Sequence, residues 1–271
     1  MKIFRKTANK DFNLDQLSIM IYLGNKPSNL NELINYIVNE IQHSKLSSLF
    51  VPFSVEEIHS TLIGLEQIRD SNSDKFLNAN IFHEFGIKKE MNFDKLIEII
   101  ESFLPITVRF GGLDRSFDKF KSWEDIPYIR TFQLLCPAGD FTLVGWPHKD
   151  GTYDKTLWSL RETIEKECSI RHKYARIKDN DFFMRIGTLK NNTCQLLVEN
   201  DELRSEVDKA EENIRQYLYI NPLDIKITPK DVYLVYYTQE ISSIKVINSY
   251  PISDNKLNSE FIKKCLIKHC T

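Results

Sequence analysis

With 271 residues, 42% of them hydrophobic and 27% charged, the chain is long enough for one large domain or two small lobes around a real core, which excludes a disordered tail. A formal net charge of -2 and a pI near 6.3 exclude a uniformly basic nucleic-acid coat and leave room for a local cationic groove. Five cysteines, Cys136, Cys168, Cys194, Cys265 and Cys270, lie far apart without a CxxC pair or clustered histidines, so neither a disulfide framework nor a metal site nor any other cofactor is expected.

Residues Met1 to Lys6 turn polar at once, and no window is long and apolar enough to span a bilayer, so a cytoplasmic chain with no membrane contact is expected. Leu17 to Leu23 reads as a first strand, closed by Gly24 and Pro27. Ser28 then opens a helix with Leu30, Leu33, Ile34, Ile37, Val38 and Ile41 on one stripe. Past Pro52 comes the β-branched run Glu57 to Leu65, then a polar loop from Gln67 to Asn80. A helix is expected from Asn92, and a strand from Ile106 to two glycines, Gly111 and Gly112.

Thr131 to Cys136 and Phe141 to Trp146 flank Pro137-Ala138-Gly139-Asp140, whose turn chemistry predicts a hairpin. A loop, Pro147 to Gly151, precedes a helix carrying Leu157, Leu160 and Ile164. Arg171 to Lys178 is the most basic run, a pattern that ordinarily marks a solvated face. Phe182 to Leu189 is a strand, and Asp201 to Tyr219 a long amphipathic helix. Strands Asp231 to Thr238 and Ser243 to Tyr250 follow, and Phe261 to Leu266 forms a tail helix. Strands and helices interspersed with hairpins favour an α+β fold with antiparallel or mixed sheets over a doubly wound parallel one.

The run Glu57 to Leu65 carries the chemistry. If it alternates as a strand, His59, Thr61, Ile63 and Leu65 share one side. An imidazole and a hydroxyl two residues apart can then reach one phosphate oxygen, the ring exchanging a proton and the hydroxyl donating a hydrogen bond. On these residues the sequence resembles the two-histidine phosphoesterase superfamily, the group that includes bacterial RNA 2',3'-cyclic phosphodiesterases. His59-Ser60-Thr61-Leu62 matches the first His-x-Thr motif, Leu104 to Leu113 is similar to the next strand with its glycine ending, and Leu234 to Thr238 with Val246 to Ile252 resembles the last two strands.

The resemblance implies two pseudo-symmetric lobes with helices outside and a central cleft. Residues 1–252 would form this single bilobal domain, and 253–271 a tail helix packed on it. It places the second motif on Phe183 to Leu189, where Thr188-Leu189 fits and Ile186 stands where the second histidine belongs. Plain alternation puts Arg185 on the opposite face from Ile186 and Thr188 unless a bulge intervenes. The implied chemistry uses His59 as acid or base, Thr61 and Thr188 as phosphate contacts, each acid/base group contributing typically about 10²–10⁴-fold.

Arg185, His148, Tyr236, Tyr237, Arg171, Lys173 and Arg176 are the candidate substrate contacts. Two functions compete: a phosphodiesterase acting on a cyclic phosphate or a 2'-5' nucleotide or RNA end, and a non-catalytic member that binds a nucleotide or RNA end. A structural protein with an apolar cleft is the reading from another class. No obligate protein partner is expected.

Overall fold

The computed structural model describes residues 15–69, 75–190, 193–239, 244–254 and 257–268. The polar stretch 70–74, the turn 240–243, His269 and Cys270 lie outside the described residues. In chain order, β1 (Asp15–Ile21) leads to α1 (Ser28–Gln42), β2 (Phe50–Pro52) and β3 (Ser60–Gly64). Where the polar sequence predicts a loop there is instead a ribbon, β4 (Gln67–Arg69) with β5 (Phe76–Asn78), and a helix, α2 (Ala79–Phe85), capped by the Asn78 side chain accepting from Ile81 N–H. Next come α3 (Leu96–Phe103), β6 (Ile106–Phe110), α4 (Pro127–Arg130), β7 (Phe132–Leu135), β8 (Asp140–Lys149), β9 (Thr152–Tyr153) and α5 (Thr156–Cys168).

The second half continues with β10 (Phe182–Leu189), α6 (Thr193–Glu199), α7 (Asp201–Ile220), β11 (Leu223–Ile227), β12 (Val232–Gln239), β13 (Ile244–Pro251) and α8 (Ser259–Lys268). Further elements differ from the sequence reading, which also lacks β2, α4, β9 and α6. The helix expected at Asn92 begins at Leu96, because the Asn92 side chain accepts from Asp94 N–H in a local turn. β8 runs on through Pro147, His148 and Lys149, and β11 has no counterpart in the reading.

The protein is mixed α+β, built on a large sheet whose described pairings are all antiparallel, in the order β11-β6-β8-β10-β3-β1-β12-β13. Among the described residues no helix is long and apolar enough to cross a membrane. The main core gathers Leu30 and Ile37 of α1, Ile100 of α3, Leu160 and Ile164 of α5, Ile214 of α7 and Ile262 of α8 against Ile19, Leu62, Met184 and Ile186 of the sheet. Two smaller apolar groups, around Met20 and Tyr237 and around Val144 and Trp146, lie on the sheet's other face and contain no helix residue. The helices thus cover one face, and loops and strand side chains furnish the other.

Cys136 and Cys194 form a disulfide, Cα to Cα 5.8 Å, against the sequence expectation. The hairpin turn after β7 and the start of α6 converge there, although 58 residues separate the two sulfurs in the chain. Cys168 and Cys265 are buried and take no part in the disulfide.

Along this path the boundary between β10 and β3, which meet at Met184 opposite Ser60, has four strands on each side, and β2, β7 and β9 add to the β10 and β8 side by pairing with those strands. Both central strands carry a one-residue bulge. Against β1, Thr61 pairs with Met20 and Ile63 with Ile19, leaving Leu62 extra; against β8, Arg185 pairs with Thr142 and Gly187 with Phe141, leaving Ile186 extra. An approximate two-fold through the Met184–Ser60 pair therefore exchanges Leu62 with Ile186, His59 with Phe183, and Thr61 with Arg185.

Bulged carbonyls need partners other than the ladder. Buried Arg161 of α5 supplies them, donating to Leu62 O at 3.0 Å and Thr61 O at 3.3 Å, and also to Asp179 O, Asp179 Oδ2 and Asp181 O just before β10. Asp181 in turn accepts from Ser122 Oγ, Arg130 Nε and Trp146 Nε1. His172 Nδ1 approaches Asp179 to 3.8 Å, but this is no ion pair: desolvation, with Arg161 and Lys173 adding to it, pushes the ring well below its ordinary pKa, and Nδ1 accepts from Tyr174 N–H.

Arg161→Met removes the five Arg161 bonds and takes away the only cation hydrogen-bonded to the buried Asp179 carboxylate among the described residues, so urea unfolding should report a loss of about 3–5 kcal/mol. Arg109→Met breaks only the exposed pair with Asp224 and should cost under about 1 kcal/mol. Similar losses for both variants would mean that the cluster does not organise the fold.

Candidate functional site

The bulges decide which side chains meet. In β3, Ile58 and Leu62 enter the main core, so His59 and Thr61 take the open face; past the bulge Ile63 and Leu65 return to the core. The expected grouping of His59 with Ile63 and Leu65 is thereby corrected. In β10, Phe182, Met184 and Ile186 face the core, and after the bulge Leu189 does. Ile186 is fully buried there, so it does not share the face of Thr188, which lies on the open side with Phe183 and Arg185. A phase change from even to odd apolar positions, Ile58 and Leu62 to Ile63 and Leu65 and again Met184 and Ile186 to Leu189, was the sequence signal for both bulges.

His59 is half-buried at the start of β3, and its Nδ1 donates to Glu57 O at 2.6 Å, since a carbonyl can only accept. The basic lone pair is therefore on Nε2. Desolvation pushes the imidazole down to about 4; the Glu57 carbonyl opposes this, and Arg185, Lys26 and Lys173 add to it. The ring is neutral at physiological pH with three cations around it. Arg185 stands opposite His59 by the register of β10, its guanidinium 2.8 Å from Asp140 Oδ1 and 4.9 Å from the Phe53 ring centre.

Lys26, absent from the sequence reading, donates to Gly24 O and Val55 O, and desolvation lowers its ammonium to about 8. For Lys173 desolvation also lowers the pKa, but Tyr174, Glu66 and Tyr237 outweigh it and hold the ammonium charged. Glu66, likewise unanticipated, folds back over Gly64, where a Cβ would collide with its carboxylate, and accepts from Asn80 at 3.2 Å. Tyr237 is on this face too, donating to Gln16 at 3.0 Å beside Ser18.

The remaining expected residues scatter. Thr188 is buried, with its hydroxyl 3.2 Å from Gly139 O and bonded to the Asp140 carboxylate, so it serves the β7–β8 turn. Tyr236 pairs with Leu17 and points into the main core, which removes it from the site. Arg171 is engaged by Glu84 and Glu165, and Arg176 by Glu84, so within the basic run the residue whose charge acts on His59 is Lys173. His148 is buried on β8 beside Tyr153, 3.8 Å from Asp224, in a separate cluster. A cavity of about 550 Å³ lies along α5, lined by Lys89, Trp158, Glu162 and Lys166, and takes in none of the residues around His59.

Comparison of the chain with protein-family models, with curated proteins and with solved structures finds no match. What the site can do follows from its own groups: a neutral imidazole with an accepting nitrogen, its basicity lowered by three cations of which Arg185 is paired with Asp140 and Lys173 is held charged by Glu66, can take a proton from a group bound beside it.

In proton NMR, the His59 C2–H should titrate near pH 4 and Arg185→Gln should move the midpoint upward, because one depressing charge is gone. The folded midpoint lies below the ordinary value of about 6.5, so His59 contributes to stability fully above that pH and loses the contribution as pH falls through 4. A midpoint near 6.5 in both proteins would remove the cations from the argument.

Proposed function

We propose that this chain is a diverged member of the two-histidine phosphoesterase fold that binds a phosphate ester, at a nucleotide or RNA end, on the open face of its sheet. His59 is its one general base. The observation that carries the reading is the neutral imidazole with Arg185, Lys26 and Lys173 around it. The two adjacent central strands, each carrying a one-residue bulge, support the fold assignment.

A phosphate placed among the three cations offsets the charge that depresses His59 and raises its basicity on binding. Nε2 then accepts the proton of an attacking water as the P–O bond to the leaving oxygen breaks, while the cations stabilise the charge on the phosphoryl oxygens. Water protonates the leaving oxygen, which keeps turnover slow. Phe183 favours a second reading, binding without turnover: the two-fold puts this ring, half-buried against Trp146 and Val144, at the place equivalent to His59. A second histidine on this face therefore belongs at Phe183 and not at Ile186, whose side chain lies in the core.

Hydrolysis of a 2',3'-cyclic nucleotide should fall by about 10²-fold or more in His59→Ala and rise in Phe183→His. Binding of the 2'-nucleotide should weaken with salt and with charge reversal at Lys173 and Arg185, while reversal at Arg176 should change it little. Binding that persists with no turnover before or after Phe183→His selects the binding module. Turnover indifferent to His59 sinks both readings.

A further inference from the structure

We propose that Cys136 and Cys194 are a reversible thiol–disulfide site that clamps the β7–β8 turn and, through Asp140, sets the position of Arg185 opposite His59. The links are continuous. Cys136 opens the turn whose Gly139 N–H donates to Leu135 O at 2.8 Å and whose Gly139 O accepts from Leu189 N–H at 2.8 Å and from the Thr188 hydroxyl. The next residue, Asp140, is buried and bonds Arg185 at 2.8 Å. Cys194 of α6 packs against the same turn, with its sulfur 3.8 Å from where a Cβ on Gly139 would sit. The bond therefore ties α6 to the segment that aims Arg185.

Access is one-sided. Cys136 is 2% exposed, while Cys194 is half-buried, so an external thiolate attacks the Cys194 sulfur and Cys136 leaves as the thiolate. In the forming direction each thiol gives up one proton and one electron, the S–S bond closes, and an external disulfide such as oxidised glutathione is reduced to two thiols. A dithiol such as dithiothreitol reverses the exchange. With the clamp open, the turn loses a covalent tether while its hydrogen bonds remain, which makes local opening easier without unfolding the sheet.

The test uses the full chain under oxidised glutathione and under dithiothreitol, and it does not require the phosphate reading to hold. Amide exchange at Gly139 and Leu189 should speed up by about tenfold on reduction. The His59 C2–H midpoint should move up by about half a unit as Arg185 spends less time opposite the ring. Asp140→Asn should shift His59 in the oxidised protein and respond no further to dithiothreitol. Cys194→Ser should behave as reduced under both conditions. Unchanged exchange overturns the clamp, and faster exchange with a fixed His59 midpoint overturns its connection to the site.

Discussion

One guanidinium holds the centre of this protein together. Arg161 reaches from α5 to the carbonyls that the β3 bulge releases and to the segment that enters β10, so a single side chain joins the two strands that carry His59 and Arg185. Arginine suits the position because its fork of donors can satisfy several carbonyls and a carboxylate at once, and because it stays charged when buried. Placing it there brings a charge into the core, and Asp179 offsets that charge at 3.0 Å. Arg130 with Asp181 repeats the arrangement on the other side of the same loop. The acidic pair before β10 is thus a structural requirement of the bulge, and its polarity says nothing by itself about catalysis.

The architecture was legible where periodicity was strong. The stripe of Leu30, Leu33, Ile34, Ile37 and Ile41 predicts α1, and turn chemistry around Gly139 predicts the β7–β8 hairpin. What failed was phase. A bulge adds one residue and exchanges the faces of everything beyond it, so strict alternation put Ile63 beside His59 and Ile186 beside Thr188, when both isoleucines belong to the core. Long-range convergence was equally invisible. Neither the pairing of Cys136 with Cys194 nor the arrival of Lys26 and Lys173 beside His59 leaves a mark in local sequence. The basic run from Arg171 divides in a way local sequence does not show: Arg171 and Arg176 are engaged by Glu84 and Glu165, which lie elsewhere in the chain, while the charge of Lys173 acts on His59.

Turning about the Met184–Ser60 pair brings unlike side chains onto one another. Equivalent positions hold an imidazole and a phenyl ring, a hydroxyl and a guanidinium. The backbone devices, a bulge in each central strand, are kept on both sides, while the side chains on the open face differ. That is what is expected if the bulges serve packing, which both halves need, and the open-face groups serve a ligand that needs them once.

The seam between the halves is narrow. β3 and β10 share one ladder pair, Met184 with Ser60, whereas β10 and β8 remain paired from Phe182 to Thr188. A sheet interrupted in this way is mechanically anisotropic. Load applied along the long pairings is spread over many amides in shear, but load applied across the seam falls on that one pair, on the short β2 ladder to Gly187–Leu189 and on the side chains beside them. His59 and Arg185 stand at this seam, so their spacing is set by that one pair together with the Arg161 bonds that reach both strands and the single main core packed beneath them.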